Sequence, residues 1–447
     1  MPTAVTTLAS ALLASALLVA AAGALAAPAP EQSETIFRDA RKYTVRIRTQ
    51  VSTPFIQDVR GSFGGAGFVV DAKRRWVLTN AHVVSQSPST VQVAFADGDF
   101  RPARKVYVDS FTDVAVLEVE RSDKRLTEAR LDCDEPPSVG EGVGAFGHPL
   151  GMPFTGTRGI VSGLTDQILN DLIQIDATVD HGNSGGPVIA LRDGQIVGIA
   201  TAGAGGDKSD RLNFATPLKD VCRILDLLRN GRPPEPPLME FSLLVDEDGR
   251  HTLEVGATHD PVRWPFVPGD VIVSVGSEHE KITTMSSLVT ALRGRAESIP
   301  IQVTRGGTEV TILARPAWRP SVLSLRALII DGALLAPIAF EDAPTLREPA
   351  GLVVHSVEPS SAAETIDIQQ LDIVESVDGR SVGDLDALIQ YVHGRKTGQP
   401  MRLILRRTSP STNRWSELHV RELPGDEIRV IGPEESATAT ATSDGAR

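Results

Sequence analysis

The sequence predicts a mostly β protein: an antiparallel barrel or sandwich over residues 31–230, then two smaller α+β units at 236–318 and 320–424. Three observations carry this prediction. Gly (39) and Pro (30) are plentiful while aromatic residues are only 4% of the 447, a mix suited to many turns and short strands. Apolar runs in the first half are short, β-branched and cut by Gly, Asp or Pro, with little helical spacing. A strand–helix–strand pattern then occurs twice. At roughly 100–200 residues per domain the length fits two to four domains. Hydrophobic residues at 41%, with mean hydropathy −0.04, supply enough apolar material for packed cores.

The elements follow in order. Residues 1–30 carry no charged side chain, and LASALLASALLVAAAGALAA (8–27) is a run of apolar and small residues. Ala24-Leu25-Ala26 offers the small residues that a signal peptidase needs, so 1–26 reads as a cleaved signal peptide. The length of the run and the lack of a preceding Lys or Arg leave a retained membrane anchor as the second reading. Both readings predict an exported protein. RKYTVRIRTQV, GAGFVVD, RWVLTN, TVQVAF, DVAVLEVE, GEGVGAF, DLIQID, GPVIAL and GQIVGIATAG then read as strands, and LKDVCRILDLLRN as one amphipathic helix. GRPPEPP (231–237) breaks the pattern as a linker. Beyond it, PGDVIVSVG, MSSLVTALRG and IPIQVTRGGTEVTI are followed by QLDIVESVDG, LDALIQYVHG and MRLILRR. Asp270 recurs as Asp372, 102 positions later. Residues 425–447, ending in PEESATATATSDGAR, read as a disordered tail.

Charge and cysteines exclude several functions. Lys plus Arg total 44 against 57 Asp plus Glu, and a net charge of −13 repels phosphate backbones, so no nucleic-acid partner is expected. Cys133 and Cys222 are too few for a disulfide framework or a four-thiolate zinc site. They either pair in an oxidising compartment or remain two buried thiols. No HExxH, metal-spaced His/Cys cluster or GxxxxGK[ST] loop is present, so no metal or other cofactor is expected. GSFGGAG (61–67) precedes a strand and not a helix, and reads as a structural turn.

Three segments of the β-rich region point to chemistry together. His82 follows a strand in WVLTNAHVV, Asp113 precedes one in DSFTDVAVLEVE, and Ser184 sits in the Gly-rich turn DHGNSGGPVIA. A serine hydroxyl is a weak nucleophile until a base takes its proton, and the base needs an anion to fix its tautomer. Each residue alone is more simply a turn former or a satisfied polar group. The three together supply nucleophile, base and acid, with Gly182 and Ser184 as backbone N–H donors to an oxyanion. GNSGG also fits G-x-S-x-G, the elbow of α/β-hydrolases. That fold needs a helix after the serine and the order Ser, acid, His; here PVIALRDGQIVGIA is strand-like and the order is His, Asp, Ser.

LTNAHVV, TDVAVLEV, GNSGGPV and LNFATPLKDV resemble chymotrypsin-like serine proteases and, more closely, the HtrA/Deg family. The resemblance covers about residues 35–424. It implies a chymotrypsin-like double β-barrel protease domain followed by two PDZ-like α+β domains. It also implies a homo-trimer or larger assembly, a periplasmic location, and unfolded or damaged exported polypeptides as substrates of an ATP-independent endopeptidase. A chaperone or peptide-binding scaffold with secondary proteolysis is the alternative. Some positions depart from the family pattern. Asn183 precedes the serine, as in HtrA proteins, so activation through a newly cut N-terminus has no Asp to use. The stretch from Ile160 to Gln174, where the family places a regulatory loop, is short. His148 and His181 replace a usual Asn and Pro; His181, three residues from the serine, reads as a polar residue of the cleft rim, with a second base as the alternative.

Thr178 stands where trypsin-like enzymes carry a pocket acid, and by resemblance Leu212 and Phe214 line the same pocket. A neutral, apolar pocket selects Val, Ile or Ala before the cut bond. In the second PDZ-like unit, Gly332, Ala333 and Leu334 of ALIIDGALLAPI are expected to form a loop that receives a peptide C-terminus. The first unit lacks such a loop and reads as structural.

Overall fold

The computed structural model describes residues 32–96, 98–120, 125–134, 136–148, 154–165, 171–201, 212–247, 251–295, 297–338, 350–396, 398–408 and 416–432. The apolar segment 1–26 and the tail beyond 432 lie outside them.

A helix, α1 (Gln32–Tyr43), leads into two closed six-stranded barrels. The first holds β1 (Thr44–Val51), β2 (Gly61–Asp71), β3 (Trp76–Thr79), β4 (Ser89–Ala94), β5 (Arg101–Asp109) and β6 (Val114–Val119), in the order β1-β2-β3-β6-β5-β4. A one-turn helix, α2 (Ala81–Val84), follows β3. The second barrel holds β7 (Gly142–Gly147), β8 (Thr155–Thr165), β9 (Leu172–Ile175), β10 (Pro187–Ala190), β11 (Ile196–Thr201) and β12 (Asn213–Pro217). Its order is β10-β11-β12-β9-β8-β7. Burial follows each sequence pattern. TVRIRTQV alternates toward the core at Ile47, Thr49 and Val51, whereas WVLT and PVIA are buried throughout. GSFGGAG, expected as a turn, is the first half of β2.

Helix α3 (Leu218–Arg229) packs Leu218, Val221, Ile224 and Leu225 into the same core as β3 and β6. Cys222 on that helix is bonded to Cys133, in the connection between the barrels, with Cα atoms 5.8 Å apart. The open question of the two cysteines is thereby answered by a disulfide.

The first C-terminal domain contains β13 (Pro237–Leu238), β14 (Phe241–Val245), β15 (His251–Thr258), β16 (Val271–Val275), β17 (Glu280–Lys281), β18 (Ile299–Arg305), β19 (Thr308–Ala314) and β20 (Ala317–Trp318). Its sheet runs β14-β15-β16-β18-β19, with β14 at one end, and β13 pairs β20 to close the two ends of the domain. Helix α4 (Met285–Leu292) begins with a capping box in which Thr284 and Ser287 bond each other's backbone N–H.

The second C-terminal domain contains β21 (Ala327–Ile330), β22 (Ala333–Pro337), β23 (Leu352–Val357), α5 (Ala362–Thr365), β24 (Ile373–Val377), β25 (Arg380–Ser381), α6 (Leu385–His393), β26 (Met401–Thr408), β27 (Ser416–Leu423) and β28 (Ile428–Ile431). The repeat is visible at atomic level. Asp270 and Asp372 are fully buried, and each is gripped by two guanidinium nitrogens of an arginine 35 residues later. Both pairs, to Arg305 and Arg407, span 2.7 and 2.8 Å. Each Asp also accepts a backbone N–H three residues upstream, from Val267 and Gln369, at 2.9 Å.

The second copy departs from the first at one edge, and two expectations are corrected there. The sheet order is β27-β26-β24-β23-β22-β21-β28. Gly332 is not in a ligand loop. With Asp331 (φ 48) it forms the two-residue turn of the β21–β22 hairpin at φ 91, and its carbonyl accepts the Glu358 N–H. Ala333 and Leu334 are buried in β22. Nor is the chain disordered from 425. The Asp331 carboxylate accepts the N–H groups of Gly425, Asp426 and Glu427, and β28 then pairs the length of β21. β21 is thus enclosed. Leu328 and Ile330 share a core with Leu385, Leu388 and Ile389 of α6, while Ala327 and Ile329 face Phe55 of the first barrel.

Candidate active site

His82 is placed by its neighbours in sequence. β3 is wholly buried, Asn80 stands at the start of α2, and Ala81, Val83 and Val84 point inward, which leaves His82 on the open side with its side chain 49% exposed. Asp113 approaches from the turn before β6. Its carboxylate accepts the His82 backbone N–H at 3.0 Å and lies 2.8 and 3.1 Å from Nδ1. The Asn80 amide donates to the Asp113 carbonyl at 2.9 Å. With Nδ1 engaged by a carboxylate, the imidazole keeps Nε2 for the cleft. Asp113 sits at φ 53, a left-handed conformation that costs an L-residue free energy and persists only where its surroundings impose it.

Ser184 comes from the second barrel and is 6% exposed. Its carbonyl accepts the Ala66 N–H of β2 at 2.8 Å, and Gly185 donates to the Ala200 carbonyl at 2.8 Å. Gly185, at φ 85, has no room for a side chain: a Cβ there falls 2.2 Å from both the Ala66 carbonyl oxygen and Thr79 Oγ1, and 3.2 Å from the Asn80 nitrogen. The serine turn is therefore wedged against the end of β3 that delivers His82. All three predicted catalytic residues meet at the seam between the barrels.

The turn before the serine closes with the Asn183 N–H on the Asp180 carbonyl at 2.9 Å, and Gly182 occupies its third position at φ 104. Positive φ at that position is the mark of a type II turn; the type I alternative rotates the central peptide, which carries the Gly182 N–H, by half a revolution. The Gly182 carbonyl is tied down by the His148 N–H at 3.2 Å. His148 is buried edge-on against Phe154 with ring centroids 4.4 Å apart, and burial, helped by Arg46, lowers its pKa to about 3. His181 is exposed.

The expected pocket residues share one end of the second barrel. β9 and β12 pair antiparallel with Ile175 opposite Asn213, so Thr178 past the one strand and Leu212 before the other lie at the same end. Thr178 is exposed, with its carbonyl on Thr157 Oγ1 at 2.9 Å, and Phe214 is half-buried in β12. Residues 202–211 and 166–170 lie outside the described residues, and with them part of the short stretch from Ile160 to Gln174. Gly332, Ala333 and Leu334 stand apart from the seam, in the second C-terminal domain. Among the described residues no group of three His, Cys, Asp or Glu side chains is placed to hold a metal.

Sequence reasoning missed Asn80, Thr79 and Gly185 as supports of the site. Their signal was proximity, since each lies within three residues of one already singled out.

Comparison with known proteins agrees with this geometry. A trypsin-like peptidase domain family model matches residues 65–199. A probable periplasmic serine endoprotease DegP-like of Bartonella henselae is 28% identical over 390 residues, covering 80% of this chain and 74% of the relative. The periplasmic serine endoprotease DegP of Escherichia coli K12 is 24% identical over 387 residues, 80% of each chain. The serine protease Do-like HtrB of Bacillus subtilis is 35% identical over 184 residues, 38% of this chain and 40% of that one. Among solved structures, an HtrA-type protease AlgW variant with a tripeptide aligns at TM-score 0.50 and 25% identity, covering 64% of this chain and 98% of the other. With two barrels meeting at the seam that carries Ser184, His82 and Asp113, a trypsin-like peptidase domain over residues 65–199 and serine endoproteases similar to it along most of its length, the chain is a serine endopeptidase similar to those of the HtrA/Deg type.

Proposed function

We propose that Ser184, His82 and Asp113 carry out peptide-bond hydrolysis through an acyl-enzyme. Ser184 Oγ attacks the scissile carbonyl carbon while His82 Nε2 takes its proton. The N–H groups of Gly182 and Ser184 receive the oxyanion, and Asp113 stabilises the imidazolium without taking its proton. Collapse breaks the C–N bond as His82 protonates the leaving amine, and water then repeats the sequence on the ester. The observation that carries this reading is the double grip of Asp113 on the backbone and ring of His82. The test is digestion of an unfolded protein with wild type, Ser184→Ala and His82→Ala, followed by mass spectrometry. Each variant loses on the order of 10⁴-fold in turnover or more; activity within tenfold of wild type refutes the assignment.

The substrates in this reading are unfolded or damaged exported polypeptides, cut after Val, Ile or Ala in a pocket formed by Thr178, Leu212 and Phe214. Products ending mainly in Lys or Arg refute that pocket. An extended substrate segment adds to the first C-terminal domain along β14, which ends its sheet and leaves Leu244 and Val245 44% and 52% exposed. Leu244→Asp then slows digestion of a full-length unfolded protein but not of a short peptide; equal effects on both refute it. The working form is a homo-trimer or larger assembly, checked by light scattering. Export is supported by the Cys133–Cys222 bond, which suits an oxidising compartment, and is checked by cell fractionation.

A further inference from the structure

Arg293 ends helix α4 in the first C-terminal domain, yet its guanidinium is fully buried inside a wall of the protease domain. Nη2 lies 2.5 Å from Asp109 Oδ2 and 2.7 Å from Thr112 Oγ1. Nη1 donates to the Tyr107 hydroxyl at 3.1 Å and to the Pro234 carbonyl at 2.5 Å. Burial works against its charge, but Asp109 and Tyr107 more than offset this and raise its pKa. Asp109 is 1% exposed and closes β5 four residues before Asp113. It accepts the N–H of Phe111 at 2.9 Å, the N–H of Thr112 at 3.3 Å and the Thr112 hydroxyl at 3.0 Å. One carboxylate therefore shapes the whole turn that presents Asp113 in its left-handed conformation.

The two groups depend on each other. Neither a buried guanidinium nor a buried carboxylate is tolerable alone, so removing Arg293 leaves Asp109 to take up a proton or swing out to water. Either response loosens the turn at Phe111–Thr112, and the unfavourable φ of Asp113 is then free to relax. The coupling also runs in reverse, because binding linkage is reciprocal.

Other contacts dock the same domain without touching this turn. Ser286 Oγ donates to Asp220 at 2.7 Å, Thr284 Oγ1 to Asp171 at 3.0 Å, and Arg223 to the Arg293 carbonyl at 3.1 Å.

We propose that Arg293 is a positioning residue for Asp113: docking of the first C-terminal domain inserts its guanidinium against Asp109, and this fixes the turn that holds the catalytic acid on His82. The state of that domain then sets turnover with little effect on the binding of short substrates. The proposal rests on Asp113 being the acid of the triad.

The test uses the full chain and a fluorogenic peptide, with kcat and KM measured for Arg293→Met, Arg293→Lys, Ser286→Ala and Asp113→Asn, and near-ultraviolet circular dichroism to confirm folding. Arg293→Met lowers kcat by about 10- to 100-fold, the scale of a displacement near 1 Å at a catalytic group, with KM within twofold. Arg293→Lys restores part of that loss, because one ammonium keeps the charge but cannot bridge four acceptors. Ser286→Ala, which removes one contact away from the turn while the others keep the domain docked, keeps kcat within twofold. The proposal is overturned if folded Arg293→Met keeps wild-type kcat, if its defect lies in KM, or if Ser286→Ala falls as far. Should Arg293→Met not fold, Arg293→Lys decides alone, and an unchanged kcat overturns it. Full activity of Asp113→Asn instead sinks the triad reading, which keeps the two failures distinct.

Discussion

Breaking the Cys133–Cys222 bond should weaken one barrel selectively. The two cysteines are separated by 89 positions, and the ring they close contains every strand of the second barrel from Gly142 to Pro217 and none of the first. For a ring of about 90 residues, chain entropy gives about 15 cal/mol/K, or about 4–5 kcal/mol at 25 °C, lost from the unfolded ensemble. Structure remaining in the reduced, unfolded chain cuts into this, so about 2–4 kcal/mol is expected. At an m-value of about 1–3 kcal/mol/M in urea, the midpoint falls by on the order of 1–3 M. The second barrel contains no tryptophan, whereas Trp76 lies in the first barrel and Trp264 in the first C-terminal domain. Fluorescence therefore reports the wrong parts of the molecule. Hydrogen exchange on peptides from 142–217, across a urea series with and without a phosphine reductant, reports the right one. The reasoning is refuted if protection of those peptides shifts by less than the equivalent of about 1 kcal/mol. It is also refuted if the fluorescence transition moves further than the exchange transition.

Other expectations follow from single positions. Gly182→Ala, which disfavours φ 104, should turn the peptide bearing one oxyanion donor and lower kcat by about 10²–10³-fold with little change in melting temperature. Equal kcat in a folded variant contradicts the oxyanion role. Burial lowers the Lys105 pKa to about 7 while the ammonium donates to the carbonyls of Ser85 and Ser87. The unfolded chain then holds this proton up to about pH 10.5 and the folded chain does not, so the contribution of Lys105 to stability rises from pH 7 toward 10.5. The stability difference between wild type and Lys105→Met, followed by urea melts, should grow over that window; a flat difference excludes it. His355, lowered by burial to about 4, accepts the Ile56 N–H on Nδ1, so acidification from pH 6.5 toward 4 should loosen the second C-terminal domain from residues 55–58. Hydrogen exchange at Ile56 measures this, and unchanged protection at pH 4 counts against it. A chain ended at 424 lacks β28 and should expose the edge of β21, which a lower melting temperature and concentration-dependent association would register.

What was legible in the sequence depended on distance along the chain. The strands of both barrels and helix α3 follow from local patterns such as TVRIRTQV and LKDVCRILDLLR, and the repeat follows from two similar strings. The meeting of His82, Asp113 and Ser184 was readable because each lies in a short motif of its own. Contacts between remote unmotivated residues were not. Nothing near Arg293 announces a partner 184 positions earlier, and RVI after Asp426 looks like any fragment of a polar tail until Asp331 is seen collecting its N–H groups. The Asp331-Gly332 pair is the commonest signal of a two-residue hairpin, yet the glycine followed by apolar residues equally suited a ligand loop. The partner strands of β21 decided between them, and they are set by tertiary pairing with residues about 100 positions away.

The enclosure of β21 has a competitive consequence. Joined to β22 by a two-residue turn, this strand is an occupant that never diffuses away, present at an effective concentration on the order of millimolar or higher. A free peptide at micromolar concentration is outnumbered about a thousandfold at that edge before any contact is compared. It must also expel Ala327, Leu328, Ile329 and Ile330, all wholly buried. Of two similar modules on one chain, the first ends its sheet at β14, and the second has the matching strand covered by a piece of the chain itself.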